Sequence, residues 1–150
     1  MTRLLKDIPK HKHAQIQFLC ESCIAHEESM NTGKICWVIL DRFYQKFKNK
    51  LFIIDETKKD GIRGSAIMQF EKSNAICLTH LYVKRKFRNQ GIATKILKEA
   101  ISFAKKTNKL LFLNVNPLNK NALALYEKSG FMPDVEQHIR MTYSFGKVKK

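Results

Sequence analysis

Cys77-Leu-Thr-His-Leu-Tyr-Val83, Lys84-Arg-Lys-Phe87 and Arg88-Asn-Gln-Gly91-Ile-Ala-Thr94 follow one another without a gap. The first segment is apolar and short enough for a buried strand. The second is a basic turn. The third carries one glycine and opens a helical pattern. A strand that feeds a glycine turn and then a helix N-terminus forms an anion site. The first amides of a helix have no partner inside it, and the macrodipole adds positive potential there. Gly91 lets backbone approach an anion with no Cβ in the way. Lys84, Arg85, Lys86 and Arg88 surround the turn with positive charge. The dinucleotide pattern G-x-G-x-x-G is absent, and no G-K-[ST] follows, so neither a dinucleotide fold nor a P-loop is indicated.

Arg88-x-x-Gly91-x-Ala93 after a strand resembles the acetyl-CoA signature R/Q-x-x-G-x-G/A of the GNAT family of N-acetyltransferases. Leu81-Tyr-Val83 resembles the end of that family's fourth strand. A second block resembles the family's N-x-x-A-x-x-x-Y-x-x-x-G-F: Asn119-Lys-Asn-Ala122-Leu-Ala-Leu-Tyr126-Glu-Lys-Ser-Gly130-Phe131. The block also reads physically. Asn119 is a good N-cap. Leu118, Ala122, Leu125 and Tyr126 fall at helical spacing. Gly130 stands where a helix end takes a left-handed residue.

The bulk properties set bounds. The 150 residues suffice for one domain, taken as 1–150 with a frayed basic tail at about 146–150. Hydrophobic residues make up 44%, too many for a disordered chain. No apolar run approaches the roughly 20 residues of a membrane span, and the N-terminus shows no signal peptide. A soluble, cytoplasmic protein is expected. The net charge is +15. Residues 1–75 carry 13 basic and 9 acidic side chains, and residues 76–150 carry 15 and 4. The excess lies in the half that holds both blocks, where it raises the encounter rate of a polyphosphate. Lysine outnumbers arginine 22 to 6, so part of the excess reads as a composition bias on a solvated face.

Four cysteines, Cys20, Cys23, Cys36 and Cys77, fit a reduced compartment better than a disulfide framework. Cys20-Glu-Ser-Cys23 lacks a second C-x-x-C. Buried thiols are the simpler reading against zinc on Cys20, Cys23, His26 and Cys36, and no metal is expected.

Along the chain, the pattern predicts a short strand in 2–8 and a helix from Lys10 to about Met30, with Ala14, Phe18, Leu19, Ser22 and Ile24 as its stripe. A second helix runs from Ile35 to Phe47, with Trp37, Leu40, Phe43, Tyr44 and Phe47 on one face. Strands follow at Leu51–Ile54, Ile62–Phe70 and Ala75–Val83. A helix over Gly91–Lys106 turns Ile92, Ile96, Leu97, Ala100, Ile101 and Ala104 inward. Lys109–Val115 is a buried strand, the second-block helix comes next, and His138–Phe145 is a final strand. The order β-α-α-β-β-β-α-β-α-β-β gives an α/β (α+β) fold with a mixed central sheet flanked by helices. It matches the GNAT acyl-CoA N-acyltransferase fold, in which the fourth and fifth strands splay and the pantetheine arm lies between them.

The resemblance implies acetyl-CoA as cosubstrate and direct transfer of acetyl to a primary amine. It places the pyrophosphate on Arg88, Asn89, Gln90, Gly91, Ile92, Ala93 and Thr94, and the pantetheine arm on Leu81, Tyr82 and Val83. Asn119 and Tyr126 lie near the cofactor. An N–H of the splayed strand serves the thioester carbonyl as an oxyanion donor. Tyr126 is the expected acid for the departing thiolate. Many relatives carry a carboxylate just before Leu-x-Val; here Thr79-His80 stand there, and His80 is the candidate base. Direct transfer needs no covalent carrier such as Cys77. The family's acceptor pocket maps onto Glu21, Glu27, Glu28, Asp41, Tyr44 and Tyr143. The amine's identity stays open, and a homodimer is open too. Two other readings exist: a sensor of the same fold that binds acyl-CoA without turnover, and a basic nucleic-acid-binding domain. For the latter, Lys84-Arg-Lys-Phe-Arg88 is the one aromatic-interleaved basic run, so no specific nucleic-acid partner is expected.

Overall fold

The computed structural model describes residues 2–20, 46–134, 140–143 and 145. Its strands are β1 (Thr2–Leu4), β2 (Leu51–Thr57), β3 (Gly61–Glu71), β4 (Ala75–Val83), β5 (Leu110–Asn114), β6 (Phe131–Pro133) and β7 (Arg140–Tyr143). They form one sheet in the order β1-β2-β3-β4-β5-β7-β6. Every pairing is antiparallel except β4–β5. That pair is parallel because helix α1 (Ile92–Lys106) carries the chain back across the sheet between them. Helix α2 (Lys120–Lys128) joins β5 to β6.

Strand alternation divides the core. Ile53, Ala66, Met68, Ile76, Leu78, Leu111 and Leu113 point to one face, where Ile92, Ile96, Leu97, Ala100 and Ala104 of α1 cover them. Each large aliphatic side chain so buried contributes roughly 1.5–3 kcal/mol. Ala122, Leu123, Leu125 and Tyr126 of α2 pack against the same cluster. The opposite face carries Phe52, Ile54, Ile62 and Ile67, covered by Ile16, Leu19 and Cys20.

Local expectations and structure differ in places. β1 ends at Leu4, and Leu5–Asp7 form a 3-10 turn. Residues 13–20 are helical, as expected. Their buried side chains, however, are His13, Ile16, Leu19 and Cys20, while Ala14 and Phe18 are exposed. The stripe is shifted because Ile16 and Cys20 fit against β2 and β3, and His13 Nε2 stands 2.8 Å from Ile8 O. Leu118, assigned to the α2 stripe, precedes the helix and is 64% exposed. The second predicted helix is described only at residues 46–47, which are helical, with Phe47 buried. Trp37, Leu40, Phe43 and Tyr44 lie outside the described residues. So do Ser22, Ile24 and the tail 146–150.

Candidate functional site

β4 and β5 pair only from Ala75↔Leu110 to Leu78↔Leu113. From Thr79 onward β4 keeps its β3 partner but has parted from β5. The parting coincides with a bulge. Ser65 faces Tyr82 and Ile67 faces Thr79, so His80 and Leu81 oppose the single residue Ala66. His80 takes the left-handed conformation that the extra residue requires, with φ of 53°. Outside glycine that region is uncommon, though histidine visits it more than most residues. The bulge bends β4 away and opens a gap between two strands inside a sheet.

The basic turn follows at the end of that gap. Lys84 N donates to Arg63 O at 2.9 Å, and Arg85–Phe87 form a 3-10 turn. Phe87 is buried. Arg88 Nε donates to Val83 O at 3.0 Å, and its guanidinium lies 5.0 Å from the centre of the Tyr82 ring. Asn89 and Gly91 are left-handed, with φ of 60° and 79°. The first helical acceptor is Gly91 O, bonded by Lys95 N at 3.0 Å. Among the described residues no carbonyl accepts from the backbone amides of residues 89–94. A Cβ on Gly91 would meet nothing within 4 Å. The loop therefore presents a row of donor groups at a helix N-terminus, around open space. Lys84 crowds this site: its burial, and then the neighbouring Lys86, hold its ammonium below the ordinary lysine value. An anion there would relieve that repulsion.

Residues absent from the sequence reading hold this loop in place. Asp55, buried on β2, accepts from Arg63 Nε at 2.7 Å and lies 3.6 Å from Lys95 Nζ of α1. The Arg63 guanidinium also sits 5.9 Å from the Phe87 ring centre. Gly64 is the other. A Cβ there would stand 3.1 Å from Tyr82 O and 3.2 Å from Ile92 Cγ2 and Val83 Cγ2. Only a glycine lets α1 come this close to β3 and β4. A glycine inside a strand pattern is the signal that could have found it.

His80 lies on the face opposite α1. Its Nδ1 is 3.0 Å from Thr79 Oγ1, and its ring meets Phe47 edge-on at 5.5 Å. Burial, and then the charge of Lys46, pull its pKa from 6.5 down to about 4. The expectation of titration near neutrality is thus not met: the imidazole is neutral at pH 7 and a weak base. Cys77 is buried, and its thiol is pushed up to about 11 by burial and then by Glu71. It stays protonated and makes a poor acyl carrier.

The second block folds as its residues dictate. The Asn119 side chain caps α2, accepting from Ala122 N at 3.1 Å. Gly130 is left-handed, with φ of 99°. The half-buried Tyr126 packs its ring on Phe131 at 6.1 Å, and Phe131 packs on Tyr143 at 5.5 Å. Leu81, Tyr82, Val83 and the loop 88–94 thus lie at the gap and its end. Tyr126 and Asn119 are brought to the α1 side of the sheet, and His80 to the other.

The remaining candidates are only partly visible. Glu21, Glu27, Glu28, Asp41 and Tyr44, named for the acceptor, lie outside the described residues, as do Cys23, His26 and Cys36. Cys20 is fully buried beside Leu19 and Ile16. No helix among the described residues is long and apolar enough to cross a membrane.

Comparisons with known proteins agree with this fold. The family model described as "Acetyltransferase (GNAT) family" matches residues 20–131. Among solved structures, a Salmonella typhimurium protein, yncA, determined with its cofactor acetyl-CoA, is 15% identical. The alignment covers 95% of this chain and 90% of that one, with a TM-score of 0.68. A GNAT-family acetyltransferase from Staphylococcus aureus is 14% identical over 95% and 98% of the two chains, with a TM-score of 0.67. A ribosomal-protein-alanine N-acetyltransferase from Brucella melitensis is 17% identical over 95% and 96%, with a TM-score of 0.68. At these identities the likeness is one of fold. No curated protein sequence matches the chain.

Proposed function

The chain belongs to the GNAT family of acetyltransferases, whose model spans residues 20–131, and on that premise we propose that it moves the acetyl group of acetyl-CoA directly onto a primary amine. The acceptor is a small molecule or a peptide or protein. One observation carries the reading most: the parting of β4 from β5 after Leu78 and Leu113, which ends at the unpartnered amides of residues 89–94. The residues present fit the cosubstrate. The helix N-terminus suits its pyrophosphate, and the strand gap suits an extended arm.

Acetyl-CoA, when bound, supplies an activated thioester carbonyl. Leu81, Tyr82 and Val83 of β4 hold the arm, and an amide of the bulged strand stabilises the charge that grows on the acetyl oxygen. Arg88, Asn89, Gln90, Gly91, Ile92, Ala93 and Thr94 hold the phosphates. Asn119 fixes the start of α2 and so the position of Tyr126. As the carbon–sulfur bond breaks, Tyr126 gives its phenol proton to the sulfur. His80, neutral, takes the proton that the amine sheds as the carbon–nitrogen bond forms. A base this weak does not strip an ammonium of pKa about 10 in advance. The acceptor therefore enters already neutral, drawn from the small unprotonated fraction in solution.

The four cysteines suit a reducing, cytoplasmic setting. We take the catalytic unit as residues 1–150 and leave the chain free to pair with a second copy. The test is thiol release from acetyl-CoA across N-terminal peptides, lysine peptides, polyamines, aminoglycosides and amino acids. Release with one class supports the reading and names the acceptor. Binding of acetyl-CoA with no release from any amine would favour the sensor. Neither binding nor release would refute the cofactor assignment.

A further inference from the structure

On the sheet face opposite α1 and α2, a cavity of about 280 Å³ lies over β4, β5 and β7. Among the described residues its lining includes Glu71, Ser73, Phe112, Asp134, Arg140 and Thr142. The Arg140 guanidinium lies 4.4 Å from the centre of the Phe112 ring. Its Nε is sealed from solvent and has no hydrogen-bond partner. No ion pair among the described residues includes it. A buried guanidinium N–H left unpaired costs the full desolvation of a charged donor. Such an orphan asks for an explanation, and an acceptor bound in the adjoining cavity supplies one.

The two carboxylates of the cavity do not fill that need. Glu71 Oε1 accepts from Gln69 Nε2 at 3.2 Å. Asp134 donates its backbone N–H to Arg140 O at 2.8 Å, and neither carboxylate is ion-paired with the guanidinium. Both repel any anion that enters, so a single carboxylate must be held by Arg140 against them, and a second negative charge is disfavoured further.

The register ties the cavity to the gap. The β4–β5 pairing ends at Leu78↔Leu113, and the next β5 residue, Asn114, pairs with Arg140. Arg140 therefore stands one ladder step past the opening, two strands from β4. Strand spacing makes that about 10 Å across the sheet. The helices α1 and α2 and the phosphate loop occupy the other face.

We propose that the Arg140 cavity is the carboxylate-binding end of the acceptor site, and that the acceptor is a small amine carrying a single carboxylate. This rests on the acetyltransferase reading and deepens it. Phe112 gives the guanidinium a flat support, leaving its free edge to the carboxylate. Thr142 and Ser73 add hydroxyl donors. The cavity's size, just below the range of about 300–1,000 Å³ for drug-sized ligands, suits an amino acid rather than a folded surface.

The experiment is calorimetric titration of the CoA-loaded protein with glycine, 3-aminopropanoate, 4-aminobutanoate and 6-aminohexanoate, each against its primary amide. At least one acid should bind tenfold or more tightly than its amide. Arg140→Gln should erase that preference, and Arg140→Lys should keep part of it as a point charge. Both variants should bind acetyl-CoA as the parent does, with unchanged circular dichroism. Equal binding of acid and amide, no binding by any member, or a preference that survives in Arg140→Gln would overturn the proposal. Titration with acetyl-CoA and thiol release with simple amines separate the two failures. If both succeed while acid and amide bind alike, the carboxylate site alone is wrong. If acetyl-CoA does not bind, the acetyltransferase reading falls, and the same acid–amide comparison on the cofactor-free protein still decides the site.

Discussion

Replacing Gly91 separates backbone strain from ligand contact. Gly91 has φ of 79° and ψ of 8°, and a Cβ there meets no atom within 4 Å. The empty surroundings remove packing from the account, so Gly91→Ala pays only for forcing an L residue into the left-handed region. That costs about 1.5 kcal/mol. For a chain of this length the melting temperature should fall by about 3–6 °C. Gly91→Asn should lose less than half as much, because asparagine visits this region readily. Binding should not follow the same order. An anion oxygen bonded to these amides sits about 2.9 Å from the nitrogen. A Cβ on Gly91 would enter the open space beside the loop, which is the space the proposed pyrophosphate fills, so methyl and oxygen compete for it. Both variants should therefore weaken acetyl-CoA by tenfold or more, about 1.4 kcal/mol. Differential scanning calorimetry and calorimetric titration read the two effects separately. Alanine and asparagine variants that bind acetyl-CoA like the parent would refute the placement of the pyrophosphate at this loop. An alanine variant with unchanged melting would refute the strain.

Other outcomes follow from the same geometry. Tyr126→Phe should keep acetyl-CoA affinity within about twofold and lower kcat by at least tenfold, within the range of acid catalysis; unchanged kcat removes the role. His80 has its folded pKa depressed to about 4 from 6.5. Its contribution to stability is therefore complete above pH 6.5 and lost as pH falls towards 4, by up to about 3 kcal/mol. Denaturant melts of His80→Gln should be flatter than the parent's across that window, and a parallel pair of curves would contradict it. For the same reason kcat/KM should show no inflection near pH 6.5 and should keep rising towards the amine's own pKa; a plateau above pH 7 would restore a conventional histidine base. Asp55→Asn leaves the partly buried Arg63 without its charged acceptor and should cost about 2 kcal/mol. It should also weaken acetyl-CoA binding, because the Phe87 turn loses its support; a variant as stable as the parent would show the strut to be idle.

The anion loop was legible because every feature of it is local. A glycine, a basic run and a helix onset lie within a few residues, and in the second block the left-handed Gly130 and the Asn119 cap are equally local. The order of elements was legible for a related reason: α1 carries a clean helical periodicity, and β3 and β4 are apolar runs set off by turn residues. The first helix shows where this stops. Ala14 and Phe18 form as good a stripe as Ile16 and Cys20, and only the fit against β2 and β3 chooses between them. The His80 bulge left no mark, because the bulged residue is not a glycine and the register shift arises between strands. The Asp55–Arg63 strut depends on the register of a bulged hairpin, and Arg140 over Phe112 depends on which strand lies beside β5. Burial likewise moved His80 away from the pKa its type suggests.

Amide NMR spectra of the labelled protein with and without acetyl-CoA bear most directly on the account. The expected result is that the largest shifts fall on residues 79–83 of β4 and residues 88–94 of the loop, with β1 and β2 unmoved. Saturable binding whose shifts lie elsewhere, or no shifts at all, would contradict the site on which the chemistry has been built.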